Sequence, residues 1–190
     1  MLFASLISRI FDPFIGFILL FLAAGMRSGV TGRNLLSLMG ILFVTMILPP
    51  GLLLWWAVKT KRVTNWDISN RPQRVRAFVV LSFLLCIDYV IMQTVGTPLV
   101  NQVFRFFLVL FAGFFLITLR WKISGHMSTI SMIALYFTYW YGGMFFLLFT
   151  LIPLVAWSRL TLKRHTMGEI IGGTIYPFFV FFLARGLRLI

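Results

Sequence analysis

The fold of this chain depends on how the stretch from Met127 to Trp157, MSTISMIALYFTYWYGGMFFLLFTLIPLVAW, is divided into helices. The stretch runs for 31 residues without a charged side chain, whereas one membrane-spanning helix needs about 20 residues. Aromatic residues typical of a membrane interface and a glycine pair that can turn occur together at Tyr139–Gly143, YWYGG. We therefore expect a hairpin of two short helices and not one long helix.

The composition of the whole chain also favours a membrane-embedded fold. Hydrophobic residues make up 61% of the 190 residues, and 22 residues are phenylalanine. A soluble domain of this size would leave much of that apolar surface in water, whereas several segments approach the roughly 20 apolar residues that cross a bilayer. We therefore expect an all-α, polytopic transmembrane helical bundle of about six to seven spans. Residues 1–190 are expected to form a single integral-membrane domain.

Five further apolar segments predict the remaining spans. They are residues 12–26, 35–58, 77–95, 99–119 and 167–184. Residues 1–11 either begin the first span or lie at the membrane interface. The second span contains Pro49-Pro50-Gly51, which we expect to kink the helix because proline removes a backbone hydrogen bond.

Three polar islands interrupt the apolar segments, at residues 59–76, 120–126 and 158–169. A predicted hairpin separates each island from the next, so all three should emerge on one face of the membrane. The two histidines of the chain, His126 and His165, then lie on the same face. A single long helix through the central stretch would place them on opposite faces instead. Ionisable groups at membrane depth are costly and usually functional, so we expect the chemistry here.

The residue types in these islands suit phosphoryl transfer. His165 and Glu169 are four residues apart at the start of a predicted helix, so they share a helical face, where a carboxylate can orient an imidazole. Such a pair suits a histidine that attacks phosphorus. Guanidinium and ammonium groups complement the charge on phosphoryl oxygens. The basic candidates are Arg159, Arg71, Arg74 and Lys122.

The second island adds an anion-binding element and an acid. Ser124 and Gly125 are small and lie at a predicted helix start, so backbone N–H groups there can approach an anion closely. His126 can then protonate the leaving oxygen as a general acid. No acid-and-histidine cluster of the metal-ligand kind is evident in the sequence.

In order and spacing, these residues resemble the motifs of the type-2 phosphatidic acid phosphatase family, membrane lipid phosphatases that share a site with vanadium haloperoxidases. That family shows Lys-x6-Arg-Pro, then Pro-Ser-Gly-His, then Ser-Arg-x5-His-x3-Asp. The chain has Arg71-Pro72, then Ser124-Gly125-His126, then Ser158-Arg159 followed by His165 and Glu169. It departs from the pattern where Thr64 replaces the lysine, Ile123 the proline and Glu169 the aspartate.

The resemblance implies roles for residues of the motif-bearing core, about residues 59–184. His165 would be the nucleophile that forms a phosphohistidine, Glu169 its partner and His126 the general acid. Phosphate-binding groups would come from Arg71, Ser124, Gly125, Ser158 and Arg159. We expect Lys122 to replace the missing lysine, with Arg74, Lys61 and Arg62 as the next candidates. The family chemistry needs neither a metal nor another cofactor.

The expected substrate is a lipid phosphate or diphosphate held among membrane lipids. Isoprenoid diphosphates, phosphatidic acid and phosphatidylglycerophosphate all fit, and the sequence does not rank them. Two alternatives stay open, a lipid phosphotransferase that uses the same histidine and a non-catalytic lipid-binding membrane protein. The oligomeric state is open too.

The basic charge of the chain bears on partners and on topology. A formal net charge of +13 would suggest nucleic acid for a soluble protein, but here lipid headgroups, a phosphate ligand and topology signals account for it, and no nucleic acid is expected. Twelve basic residues fall on the predicted motif face and five on the opposite face. The positive-inside rule therefore places the active site on the cytoplasmic side. The five are Arg27, Arg33, Arg105, Arg185 and Arg188.

Overall fold

The computed structural model describes residues 1–68, 70–188 and 190, and the regular secondary structure in those residues is entirely helical. The α-helices are α1 (Leu2–Ile10), α2 (Pro13–Arg27), α3 (Gly32–Leu42), α4 (Leu48–Lys59), α5 (Arg71–Val95), α6 (Pro98–Thr118), α7 (Gly125–Tyr141), α8 (Leu151–Thr161) and α9 (Met167–Gly186). A π-helical segment, Phe43–Ile47, joins α3 to α4, and a 3-10 segment, Gly143–Thr150, precedes α8. The all-α prediction is confirmed.

Six helical segments of the described chain are long and apolar enough to cross a membrane. They are Leu2–Arg27, Gly32–Lys59, Arg71–Val95, Pro98–Thr118, Gly143–Thr161 and Met167–Gly186. The chain is therefore a multi-pass membrane protein, as its composition predicts. Helix α7 has 17 residues and rises about 26 Å at roughly 1.5 Å per residue, close to the roughly 30 Å of a hydrocarbon core.

The chain divides into two compact units. The first contains Met1–Leu20 together with Trp121–Ile190, and the second contains Phe21–Arg120. Helices α1, α7, α8 and α9 belong to the first unit. Helices α3 to α6 belong to the second, and the boundary falls inside α2.

In the first unit, the stretch that decides the fold forms a hairpin. The chain turns at Gly142, whose φ of 74° lies in the left-handed region that favours glycine. Met127, near the start of α7, packs in one buried cluster with Val155 of α8. His126 at the start of α7 and Arg159 in the last turn of α8 both contact Ser8, so the two helices run antiparallel. The predicted hairpin is confirmed, and the single long helix is excluded.

Helix α9 runs parallel to α7 in the same unit. At one end the Ser124 amide donates to the Glu169 carbonyl at 3.0 Å, and at the other end the Arg185 guanidinium lies 4.5 Å from the ring centroid of Tyr139. A Cβ atom added at Gly173 would lie 2.5 Å from the Ser124 carbonyl oxygen. Only glycine permits this approach, which brings the first turn of α9 against the second polar island.

Nine of the first eleven residues form a helix of their own, α1. Helix α1 ends at Ile10, and the Asp12 carboxylate accepts a hydrogen bond from the Phe14 amide at 2.9 Å, which caps the start of α2. Helix α1 buries Ala4, Ile7 and Ser8, and Ile7 joins the cluster between α7 and α8. Of the two options left by the sequence, the structure has the first. Helix α1 begins the candidate span Leu2–Arg27 and is separated from α2 by Phe11 and Asp12.

In the second unit, the predicted disturbance in the second span lies one turn before the prolines. Pro49 and Pro50 have no N–H to donate, so the carbonyl groups of Thr45 and Met46 lose their α-helical partners. The chain is π-helical over Phe43–Ile47, which contains both carbonyls, and α4 begins at Leu48. The segment Gly32–Lys59 nevertheless stays a single candidate span.

The predicted hairpin of α5 and α6 is also present in the second unit. Phe78 on α5 packs against three phenylalanine rings of α6, at centroid distances of 5.4 to 5.8 Å. The Thr97 hydroxyl caps the start of α6 by accepting from the Val100 amide. At the other end, Arg71 Nη1 donates to the Arg120 carbonyl at 2.7 Å, so the start of α5 lies beside the second residue after α6.

Candidate active site

His165 and Glu169 form a direct pair at the start of α9. His165 Nδ1 lies 2.9 Å from Glu169 Oε2, and the His165 side chain is 2% exposed. A carboxylate oxygen only accepts hydrogen bonds, so Nδ1 carries a proton, and in the neutral ring the lone pair is then on Nε2. The pairing expected from the four-residue spacing is therefore present, and it holds the tautomer that a nucleophilic histidine needs.

The Glu169 carboxylate also caps the start of α9. Glu169 Oε2 accepts from the Thr166 amide at 3.1 Å, and the Thr166 hydroxyl accepts from the Glu169 amide at 3.3 Å. This capping box satisfies two amides that the helix end would otherwise leave unpaired. The Thr166-x-x-Glu169 spacing is a capping signature, and our sequence analysis missed it. A glutamate in place of the family aspartate thus has a structural use.

Lys122 lies beside this pair. Its Nζ atom is 3.8 Å from Glu169 Oε2 and donates to the Arg164 carbonyl at 3.2 Å. The second and third polar islands therefore meet in the first unit, as their predicted common face requires. Lys122, the expected substitute for the missing lysine, brings a positive charge next to the histidine–glutamate pair.

His126 and Arg159 converge on Ser8, a residue that the sequence analysis did not single out. His126 Nε2 lies 3.2 Å from the Ser8 carbonyl oxygen, and Arg159 Nη1 donates to the Ser8 hydroxyl at 2.5 Å. A carbonyl oxygen only accepts, so His126 carries a proton on Nε2. All three residues are buried, and Arg159 is only 1% exposed. A buried guanidinium in this place is a strong anion-binding group.

Two predicted phosphate-binding groups take part in internal hydrogen bonds. The Ser158 hydroxyl donates to the Ala4 carbonyl at 2.6 Å, and the Ser124 amide donates to the Glu169 carbonyl at 3.0 Å. Both bonds hold elements of the first unit together. The direct phosphate contacts assigned to these two groups stay predictions from the resemblance.

A second group of donors lies at the start of α7. The Ser124 hydroxyl is buried and has no hydrogen-bond partner among the described residues. No described side chain caps the first amides of α7, which include that of Gly125. Unpaired amides at a helix start, together with the helix dipole, favour an anion. The predicted role of Gly125 therefore keeps a geometric basis.

Arg71 and Arg74 belong to the second unit. Arg71 is exposed and donates to the Arg120 carbonyl, whereas Arg74 is buried and donates to the carbonyls of Ile68 and Asp67, each at 3.2 Å. Thr64, at the position of the family lysine, donates its hydroxyl to Gln73 Oε1 at 3.1 Å. These contacts fasten the loop before α5, and the phosphate-binding roles of the two arginines stay predictions.

No family model matches the chain, and no curated protein or solved structure matches it. Within the part of the chain that the structure describes, no three His, Cys, Asp or Glu side chains form a group that could hold a metal ion.

Proposed function

We propose that this protein is an integral-membrane lipid phosphatase that hydrolyses a lipid phosphomonoester or diphosphate through a phosphohistidine at His165. The observation that carries the proposal is the contact of 2.9 Å between His165 Nδ1 and Glu169 Oε2. It leaves the lone pair on Nε2, and the carboxylate stabilises the positive charge that develops on the ring during attack.

In the first step, His165 Nε2 attacks phosphorus and the bond from phosphorus to the bridging oxygen breaks. His126, in its doubly protonated form, gives the Nε2 proton to the departing oxygen and becomes neutral. In the second step, water attacks phosphorus and gives a proton to His126, and the bond from phosphorus to His165 Nε2 breaks. Inorganic phosphate leaves, and both histidines return to their starting forms.

The charge on the transferred group requires fixed donors. The Arg159 guanidinium is buried beside His126, and the Lys122 ammonium lies beside the His165–Glu169 pair. The uncapped amides at the start of α7 add partial positive charge. Such preorganised donors stabilise a phosphoryl transition state more than its ground state.

A membrane-embedded site favours a substrate whose chains stay in the bilayer. Isoprenoid diphosphate, phosphatidic acid and phosphatidylglycerophosphate are the substrates to be tested, each with the purified protein in detergent and with EDTA present. We expect phosphate release from at least one of them, and its loss in His165→Ala. Lys163→Gln, an exposed change in the same turn, is the matched control and should keep full activity.

The same assay separates the alternatives. Phosphate that appears only on an added lipid or alcohol acceptor would identify a phosphotransferase that uses His165. Phosphate release that is equal in wild type and His165→Ala would refute the mechanism. No turnover of any of the three lipids, with or without an acceptor, would favour a non-catalytic lipid-binding protein.

A further inference from the structure

Helix α1 presents three oxygen atoms to the groups proposed to handle phosphate. The Ser8 carbonyl lies 3.2 Å from His126 Nε2, the Ser8 hydroxyl accepts from Arg159 Nη1 at 2.5 Å, and the Ala4 carbonyl accepts from the Ser158 hydroxyl at 2.6 Å. The donors come from two different helices, α7 and α8. All three oxygens come from one face of a nine-residue helix.

These contacts reproduce what a phosphate ester would offer. A phosphate ester places non-bridging oxygens against a guanidinium and a serine hydroxyl, and its bridging oxygen against a general acid. Ser8 places a hydroxyl oxygen against the guanidinium and a carbonyl oxygen against the imidazole proton. While Ser8 occupies these positions, the His126 proton is directed at a backbone carbonyl oxygen, which is not a leaving group, so the site cannot act on a substrate.

We propose that α1 is an autoinhibitory helix, and that Ser8 occupies the places of the phosphate oxygens until the lipid substrate displaces it. This inference rests on the proposed function, because it takes His126, Arg159 and Ser158 as phosphate-handling groups. A phosphate carries negative charge and Ser8 does not, so only the phosphate adds Coulomb attraction to the Arg159 guanidinium and can accept from it in a bidentate way. The substrate therefore competes well for the same donors.

The remaining residues of α1 suit a state in which the helix has left the site. Its outer face exposes Leu2, Phe3, Leu6 and Ile10, with Leu2 at 89% exposure, and Arg9 lies in its last turn. An amphipathic helix of this kind lies stably at a membrane interface. Phe11 and Asp12 interrupt the helix, and Asp12 caps α2 separately. Helix α1 can therefore leave the site without unwinding α2.

The first test locks α1 in place. Phe3 and Trp157 are both exposed, and their rings pack with centroids 5.9 Å apart, so a short bis-thiosulfonate reagent can join Phe3→Cys to Trp157→Cys and tie α1 to α8. The background is Cys86→Ala, which removes the single cysteine. Vanadate, which mimics the phosphoryl group in its transition state, is the ligand whose binding is measured. We expect the cross-linked protein to lose at least about tenfold in phosphate release and in vanadate affinity, because displacement of α1 is blocked. Reductant should restore both.

Each single-cysteine variant, treated with the same cross-linking reagent, is the control and should be unaffected. Full turnover and full vanadate affinity in the cross-linked protein would overturn the autoinhibitory helix while leaving the phosphatase proposal intact. Absence of His165-dependent turnover and of vanadate binding in every form would contradict both.

The second test removes one of the competing oxygens. Ser8→Ala takes the hydroxyl away from Arg159, and Ser5→Ala makes the same chemical change at a half-buried position of the same helix. We expect Ser8→Ala to bind vanadate about tenfold more tightly, the effect of losing one competing hydrogen bond to a charged group. Ser5→Ala should bind vanadate as wild type does. Weaker vanadate binding in Ser8→Ala would make Ser8 a positioning residue and overturn the inference.

Discussion

The imidazole of His165 and the carboxylate of Glu169 meet across the first turn of α9, with Nδ1 and Oε2 2.9 Å apart. The same carboxylate closes the capping box with Thr166. Glu169 therefore orients the proposed nucleophile and also stabilises the helix that carries it. The two roles can be separated because they need different properties of the side chain, charge in one case and an acceptor oxygen in the other.

Glu169→Gln tests the charge. Glutamine also closes a capping box, so the variant should melt within a few degrees of wild type. It cannot neutralise a positive imidazole, so we expect kcat to fall by roughly a hundredfold or more. Thr166→Ala is the complementary control, which loses the cap and about 1 kcal/mol of stability but keeps the His165–Glu169 pair. Wild-type kcat in Glu169→Gln would contradict the assigned role.

Gly173→Ala tests the packing that brings α9 to the second island. The new Cβ would lie 2.5 Å from the Ser124 carbonyl oxygen and 3.0 Å from the Ser124 amide nitrogen. Backbone atoms cannot move aside cheaply, so we expect a loss of about 1–3 kcal/mol in unfolding free energy and lower phosphate release. Gly186→Ala, at the end of the same helix with nothing within 4 Å of the added atom, should change neither quantity.

His126→Ala tests the general acid. A lipid alkoxide is a poor leaving group and needs the proton, whereas the phosphate that departs from a diphosphate is a better one. We expect kcat for phosphatidic acid to fall at least about tenfold more than kcat for an isoprenoid diphosphate. Equal losses on the two substrates would show that His126 does not protonate the leaving oxygen.

Cysteine labelling in intact cells tests the cytoplasmic placement of the active site. Thr64 and Thr31 are both exposed and lie beyond opposite ends of the candidate span Gly32–Lys59. In the Cys86→Ala background, a membrane-impermeant thiol reagent should label Thr31→Cys and spare Thr64→Cys, as the excess of basic residues on the motif face predicts. The reverse pattern would place the motif face outside the cytoplasm.

Features that depend on neighbouring residues could be predicted from the sequence. The turn at Gly142 follows from an apolar stretch too long for one helix, and the His165–Glu169 pair follows from helical spacing. Ser8 could not be predicted in the same way, because it lies 118 residues from His126 and 151 from Arg159. No local pattern marks a serine on an apolar helix as the partner of two distant polar groups.

The partner of the Ser124 amide could not be predicted for the same reason, because it depends on a residue distant in sequence. Its sequence context indicates an anion site, but the amide donates to the Glu169 carbonyl because Gly173 lets α9 approach. That approach depends on the packing of two helices and not on the motif itself. The π-helical segment before Pro49 is an intermediate case, since the prolines predict a disturbance and the lost hydrogen bonds place it one turn earlier.

The central claim is that His165 carries the phosphoryl group, and trapping the intermediate tests it most directly. The purified protein is mixed with a lipid substrate labelled at its terminal phosphate, quenched with alkali within one turnover, digested and mapped by mass spectrometry. We predict an alkali-stable, acid-labile phosphate on His165 that is absent from His165→Ala. Phosphate release by wild type with no label on His165, or full turnover by His165→Ala, would contradict the account.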